Sequence, residues 1–163
     1  MNGVLETSWS ADEVFAAALL HDLGVALLAG VSPESFQRVY GSADRFKISI
    51  CEAFQKIYSR SLDELAAVAM EAWGLPPVFA QTTRFQSQPW SLPAEFDALA
   101  CINYGDYLVS VHGCTLEKWI VEPPLEWEVQ SAVGLTDQEA AQLLHKVTEQ
   151  AFDDVDQGQL KAA

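Results

Sequence analysis

The chain has 163 residues, half of them hydrophobic, with 23 acidic and 9 basic residues and a formal net charge of −14. This length and apolar content fit one globular domain with its own core and argue against a disordered chain. A strongly negative surface repels polyanions and anionic lipids, so we expect no nucleic-acid binding and no membrane binding. Three cysteines without a CxxC pair indicate reduced, mostly buried thiols and a cytoplasmic location.

The first predicted element is a strongly apolar helix. Ser10 and Glu13 have the spacing of a capping box, and Gly30 marks the end of the helix. His21 falls on the apolar face and, with Asp22, argues against a membrane span. Apolar residues cover nearly every face, so we expect a second copy of the chain or a partner protein to cover part of the helix. The alternative is a central helix buried on all sides.

Start and stop signals divide the rest of the chain into seven further helices. The predicted ranges are 33–41, 43–58, 61–73, 77–85, 93–112, 125–133 and 136–152. Two of these helices begin at further capping boxes, Ser61 with Glu64 and Thr136 with Glu139. No stretch alternates with a period of two, and no hairpin turn occurs. We therefore predict an all-α fold, an irregular bundle of about seven or eight helices.

The whole chain, 1–163, is predicted to be a single helical domain. Its ordered core spans about 10–152, and residues 153–163 form an acidic, frayed tail. The acidic run at the start of this tail lacks the glycine and the distal glutamate of an EF-hand loop, so we interpret it as a solvated segment.

Two segments resemble the HD superfamily in sequence and in order. Residues 16–24, AAALLHDLG, are similar to the FLAGLLHDIG segment of HD proteins. Residues 66–77, AAVAMEAWGLPP, are similar to the helix of HDOD domains (HD-related output domains) that ends in W-G-L-P. A later segment, 98–108, resembles the family's helix that carries an aspartate, here Asp106. The ordered set covers roughly 12–152 and makes the chain similar to an HDOD domain.

The resemblance implies an all-α fold and a bacterial signalling role. Such domains often stand beside response-regulator or cyclic-dinucleotide modules. The family also carries a helical lobe before its HD segment, whereas only about twenty residues precede that segment here. We therefore expect an N-terminally shortened form.

The resemblance also implies a metal site, because HD phosphohydrolases bind metal through an upstream histidine, the His-Asp pair and a later aspartate. It places His21, Asp22 and Asp106 at three of these positions. No histidine lies upstream, Leu62 falls where HDOD domains often have one, and Gln86 stands where a His-His pair begins. Loss of imidazole ligands weakens transition-metal binding. We therefore expect a degenerate site whose three residues lie close together, with no tightly bound metal, no cofactor and no catalytic residue.

The sequence thus predicts a non-catalytic signalling and regulatory module that binds a protein partner or a second copy of itself. The candidate interface residues are apolar residues of the first helix and tryptophans near prolines: Phe15, Leu19, Leu27, Trp90 and Trp127. The alternative function is a divergent metal-dependent HD phosphohydrolase that acts on a nucleotide or a phosphodiester.

Overall fold

In a computed structural model of the chain, the structure describes residues 9–112 and 125–156. Within these ranges the chain forms nine α-helices and no strand, which confirms the all-α prediction. The helices are α1 Ala11–Leu20, α2 Leu23–Val31, α3 Pro33–Phe46, α4 Ile50–Tyr58, α5 Leu62–Ala72, α6 Pro77–Phe85, α7 Phe96–Val111, α8 Trp127–Val133 and α9 Asp137–Asp156. Two 3₁₀ turns, Pro89–Ser91 and Pro93–Glu95, lead into α7.

Two of the predicted capping boxes are fully formed. The Ser10 N–H donates to the Glu13 carboxylate at 2.8 Å, and the Glu13 N–H donates to the Ser10 hydroxyl at 3.2 Å. Thr136 and Glu139 make the same reciprocal pair at the start of α9. Each box satisfies backbone donors that the first helical turn leaves without partners, so α1 and α9 begin where the sequence predicts.

The capping box predicted at Ser61 is only half formed. The Ser61 hydroxyl accepts a hydrogen bond from the Asp63 N–H at 3.0 Å. Glu64 does not return to the cap, because its carboxylate accepts two hydrogen bonds from Arg84 of α6 at 2.7 and 3.2 Å. Arg84 also bonds Glu71 of α5 at 3.2 Å. A tertiary ion pair between α5 and α6 therefore replaces the local box.

The boundary predicted at Gly41 is wrong. α3 continues through Gly41, where a side chain would meet open space, and ends where Lys47 adopts a left-handed φ of 54°. α4 begins after Ser49, whose hydroxyl accepts the Glu52 N–H at 3.0 Å. A glycine inside a helix costs only about 1 kcal/mol. Buried residues on both sides of Gly41 offset that cost, so the helix continues.

The single N-terminal helix predicted from the sequence is divided at His21–Asp22. His21 Nδ1 contacts the Ala18 carbonyl three residues earlier, and Asp22 has φ −94° and ψ 12°, outside the helical region. α2 then places Gly24 against the backbone of α5. A Cβ added at Gly24 would lie 2.3 Å from the Leu62 carbonyl oxygen. This close approach fixes where the second half of the segment crosses α5.

The core consists of three groups of buried residues. One lies among α2, α3, α4 and the start of α5: Val25, Leu28, Val39, Ala43, Ile50, Ala53, Phe54 and Leu62. A second joins α5 to α6: Ala66, Ala67, Met70 and Ala80. A third joins α7, α8 and α9: Ala100, Tyr104, Val129 and Ala140. α1 packs against α6 and α7, so the α1–α2 junction lies where several helices meet.

The segment Ala11–Val31 is long and apolar enough to cross a membrane by length and composition alone. The same criterion is met by core helices of other proteins and by signal sequences. Only 22% of its most apolar stretch is buried within the chain. The break at His21–Asp22 lies in the middle of this segment.

Two smaller predictions need correction. α9 continues to Asp156, so the first residues of the predicted frayed tail are helical, and residues 157–163 lie outside the described part. The thiols are less buried than predicted, because Cys51 is exposed and Cys101 is half-buried. Cys114 lies outside the described residues.

Candidate functional site

Polar side chains from four parts of the fold meet at the α1–α2 junction. They come from the junction itself, the first turn of α5, the end of α6 and the middle of α7: His21, Asp22, Asp63, Gln86 and Asp106. His21 Nε2 lies 3.4 Å from Asp22 Oδ2 and 3.9 Å from Asp106 Oδ1. The three residues expected to be neighbours are therefore close in space. We refer to these five residues as the His21 site.

Asp63 belongs to the His21 site but is not among the candidate residues that the sequence identifies. Gln86 Nε2 donates to Asp63 Oδ1 at 3.0 Å and makes a longer contact of 3.4 Å with the His21 carbonyl. Asn103 of α7 supports Gln86 by donating to its carbonyl at 3.2 Å. Leu62, which the resemblance places at a histidine position, is buried in the core. The only local signal for Asp63 is its place in the first turn of α5, where an acidic residue is expected whether or not it belongs to a site.

His21 is held in its protonated form. Burial lowers the pKa of the imidazole, but the attraction of Asp106, the negative charge of Asp22 and the Ala18 carbonyl outweigh it and raise the pKa to about 9. Nε2 is buried and has no hydrogen-bond partner, although Asp22 Oδ2 lies 3.4 Å away and Asp106 Oδ1 lies 3.9 Å away. The two carboxylates therefore stabilise the imidazolium mainly through their charge.

The carboxyl of Asp63 is under opposing influences. Burial raises its pKa and so does the charge of Asp22, whereas the Gln86 hydrogen bond and His21 lower it, with a net rise. A partly buried carboxyl is costly to leave without a hydrogen-bond partner. Asp63 and Gln86 therefore tie the start of α5 to the end of α6 beneath the histidine.

The His21 site does not fit a transition-metal centre in this arrangement. Zinc sites in proteins bring at least three side chains to about 2.0–2.3 Å from one point. Over the described ranges, no group of three or more His, Cys, Asp or Glu side chains is placed to hold an ion. The Ala18 carbonyl engages Nδ1 of His21, and a pKa of about 9 keeps Nε2 protonated at neutral pH, in competition with any metal. In the arrangement described here, His21, Asp22 and Asp106 therefore do not form a set of metal ligands.

The predicted interface residues differ in exposure. Phe15 is 69% exposed and Leu19 is 72% exposed, one turn apart on α1. Trp90 is 51% exposed and Trp127 is 70% exposed, whereas Leu27 is half-buried. The alternative of a central helix buried on all sides is therefore wrong for this chain.

An apolar groove adjoins the two exposed residues of α1. It has a volume of about 380 Å³ and includes one charged residue, Asp22. Its other lining residues are Leu19, Leu23, Val25, Ala26, Ala29 and Phe36. Leu19 belongs to both features, so Phe15, Leu19 and the groove form one continuous surface. We refer to this surface as the α1–α2 face.

The family model of the HDOD domain matches residues 4–89, just over half of the chain. The matched range contains α1 to α6 and four residues of the His21 site, whereas Asp106 lies beyond it. No curated protein and no solved structure matches the chain. The family match covers two of the three segments that carry the resemblance, 16–24 and 66–77, but not 98–108, and the described residues have the helical fold that it implies. The chain belongs to the HDOD domain family.

Proposed function

We propose that this HDOD domain is a non-catalytic signalling and regulatory module that acts by protein association, with two copies meeting through the α1–α2 face. The observation that carries the proposal is the exposure of Phe15 and Leu19, both more than two-thirds exposed, beside an apolar groove. A contiguous apolar patch of this kind marks an interaction surface in a soluble domain. The rest of the chain is rich in acidic residues, whereas Asp22 is the one acidic residue named in this face, so its apolar character is distinct.

Self-association is favoured because the face contains both a projection and a groove. In a two-fold dimer, Phe15 of one copy can enter the groove of the other, and the contact is repeated by symmetry. Burying an exposed Phe or Leu side chain contributes about 1.5–3 kcal/mol. Two chains that each carry a charge of −14 repel one another, and salt screens that repulsion. The association should therefore strengthen as ionic strength rises.

The His21 site supports this function as a structural element. It joins the α1–α2 junction to α5, α6 and α7 through the ion pairs and hydrogen bonds described above. The two helices that build the α1–α2 face are thus held at a defined angle. The alternative, a metal-dependent phosphohydrolase, would need His21, Asp22 and Asp106 to bind an ion, and their arrangement does not provide for one.

Light scattering of matched double variants tests the proposal. Phe15→Asp with Leu19→Asp places two charges on the α1–α2 face, four residues apart. Leu143→Asp with Val147→Asp places two charges at the same spacing on α9, where both side chains are about half exposed. The first pair should give a monomer and the second should keep the mass of the unmodified dimer.

Circular dichroism confirms that both double variants remain helical. Equal masses for the two variants would overturn the proposal, because the α1–α2 face would then have no particular role in association.

A further inference from the structure

A second surface is an aromatic cleft between the 3₁₀ turns before α7 and the segment that begins α8. Its volume is about 610 Å³. The lining residues are Trp90, Pro93, Phe96, Asp97, Glu126 and Glu128. None of them belongs to the α1–α2 face or to the His21 site. We refer to this surface as the Trp90 cleft.

The charged residues that line the Trp90 cleft are all acidic. Three of its lining residues are acidic, and in the part of the chain that the structure describes none of the three forms an ion pair with lysine or arginine. The neighbouring sequence offers few cations to balance these carboxylates, because residues 85–117 and 119–145 contain no lysine or arginine. The cleft therefore has carboxylates for which its own elements supply no cation.

The aromatic wall of the cleft is held in place before any ligand arrives. Trp90 is 51% exposed but lies in a 3₁₀ turn whose first residue, Pro89, is fully buried. The Ser91 N–H donates to the Gln88 carbonyl at 2.9 Å, and the Leu92 N–H donates to the Pro89 carbonyl at 3.2 Å. Because this turn is already ordered, a ligand that stacks on Trp90 loses little binding free energy to the ordering of the turn.

We propose that the Trp90 cleft binds an arginine-containing basic segment of a partner protein. A guanidinium group stacks on an aromatic ring and also pairs with a carboxylate through two parallel hydrogen bonds, which suits Trp90 beside Asp97. The cleft is larger than one side chain and falls within the usual size of ligand pockets. Its walls are open to water, where a small free cation stays hydrated. A peptide adds apolar contacts with Pro93 and Phe96 that a small cation lacks.

Fluorescence anisotropy with a labelled hexapeptide tests the proposal. The probe contains two arginines and one leucine among glycines, and the comparison peptides replace both arginines by lysine or by glutamine. The arginine peptide should bind most tightly, the lysine peptide several-fold more weakly and the glutamine peptide not at all. Added salt should weaken this binding, in contrast to its effect on self-association. The opposite salt dependences therefore allow peptide binding and self-association to be tested independently of each other.

Matched carboxylate variants separate the cleft from general attraction to an acidic protein. Asp97→Asn with Glu128→Gln removes two first-turn charges that line the cleft. Asp12→Asn with Glu34→Gln removes two first-turn charges elsewhere. The two double variants therefore have the same net charge, and each loses two acidic side chains from the first turns of helices. The cleft pair should weaken binding about fivefold and the control pair less than about twofold. Equal weakening would overturn the proposal.

Tryptophan variants provide the second arm. Trp90→Ala should weaken binding about fivefold through loss of stacking. Trp73→Ala removes another exposed tryptophan, 59% exposed at the end of α5, which does not line the cleft, and should leave binding within about twofold of the unmodified protein. Equal effects of the two substitutions, or no binding of the arginine peptide at about 1 mM, would overturn the proposal.

Discussion

The protonated state of His21 gives the fold a pH dependence with a definite sign. The ordinary pKa of the imidazole is 6.5, and in the folded chain it is raised to about 9. Since the folded pKa is the higher one, proton binding stabilises the folded state. The contribution is fully present below pH 6.5 and is lost as the pH rises from 6.5 through about 9.

The magnitude follows from the two pKa values and from the exposure of the partners. The interval from 6.5 to about 9 corresponds to an upper limit of about 3 kcal/mol in the free energy of unfolding. The side chains of Asp22 and Asp106 are 62% and 44% exposed, so solvent screens part of their attraction for His21. We expect about 1–2 kcal/mol.

Urea unfolding of the unmodified chain and of His21→Gln, at several pH values between 5.5 and 9.5, measures this contribution. The difference in unfolding free energy should be largest near pH 6 and should shrink towards pH 9.5. Groups that titrate in both proteins cancel in the difference. Asp106→Asn removes one of the two charges near Nε2, so it should lower the pKa of His21 and reduce the pH-dependent part.

NMR titration of the imidazole protons gives the independent check. His21 should titrate well above the pH at which an ordinary imidazole does. A His21 resonance that titrates at or below 6.5, or a difference between the two proteins that does not change with pH, would refute the reasoning.

Three further predictions concern the fold and the His21 site. Gly24→Ala should lower the free energy of unfolding by about 2–4 kcal/mol, because the new Cβ would meet the Leu62 carbonyl oxygen. Gly30→Ala in the same helix places its Cβ in open space, so it should leave the free energy of unfolding unchanged or raise it by up to about 1 kcal/mol. Similar urea midpoints for the two alanine variants would contradict this. Arg84→Ala should cost about 1 kcal/mol in the same assay, since it removes two partly exposed ion pairs between α5 and α6. A loss above about 3 kcal/mol would show that these pairs behave as buried ones. The dialysed protein should retain no stoichiometric zinc, iron or manganese by mass spectrometry and should not hydrolyse bis(4-nitrophenyl) phosphate. One bound equivalent of metal would contradict the conclusion that the His21 site does not fit a transition-metal ion.

The features that the sequence predicts correctly depend on residues within one helical turn of each other. Ser10 with Glu13 and Thr136 with Glu139 form their boxes locally, and Gly134 ends α8 at a left-handed φ of 68°. These signals need no tertiary contact, so their physical meaning can be read from the chain alone.

The features that the sequence does not predict depend on distant residues. The division at His21–Asp22 lies next to Gly24, whose contact with Leu62 joins positions 38 residues apart in the sequence. Asp63 enters the His21 site through Gln86, 23 residues away. Both outcomes follow from how α2, α5 and α6 pack, which helical periodicity does not specify.

The same limit applies to exposure. The apolar character of the first helical segment indicates that it cannot all be buried, but the sequence does not say which side chains remain outside. Packing of α1 against α6 and α7 leaves Phe15 and Leu19 exposed, and packing of α2 against α3 and α5 leaves Leu27 half-buried.

The mass of the unmodified chain in solution tests the proposed association most directly. Sedimentation equilibrium between about 1 and 100 µM should give a mass that rises from the 17.9 kDa of one chain towards twice that value. The rise should occur at lower protein concentration when salt is added, because screening reduces the repulsion between two acidic chains. A mass of 17.9 kDa at every concentration and every ionic strength would contradict self-association through the α1–α2 face.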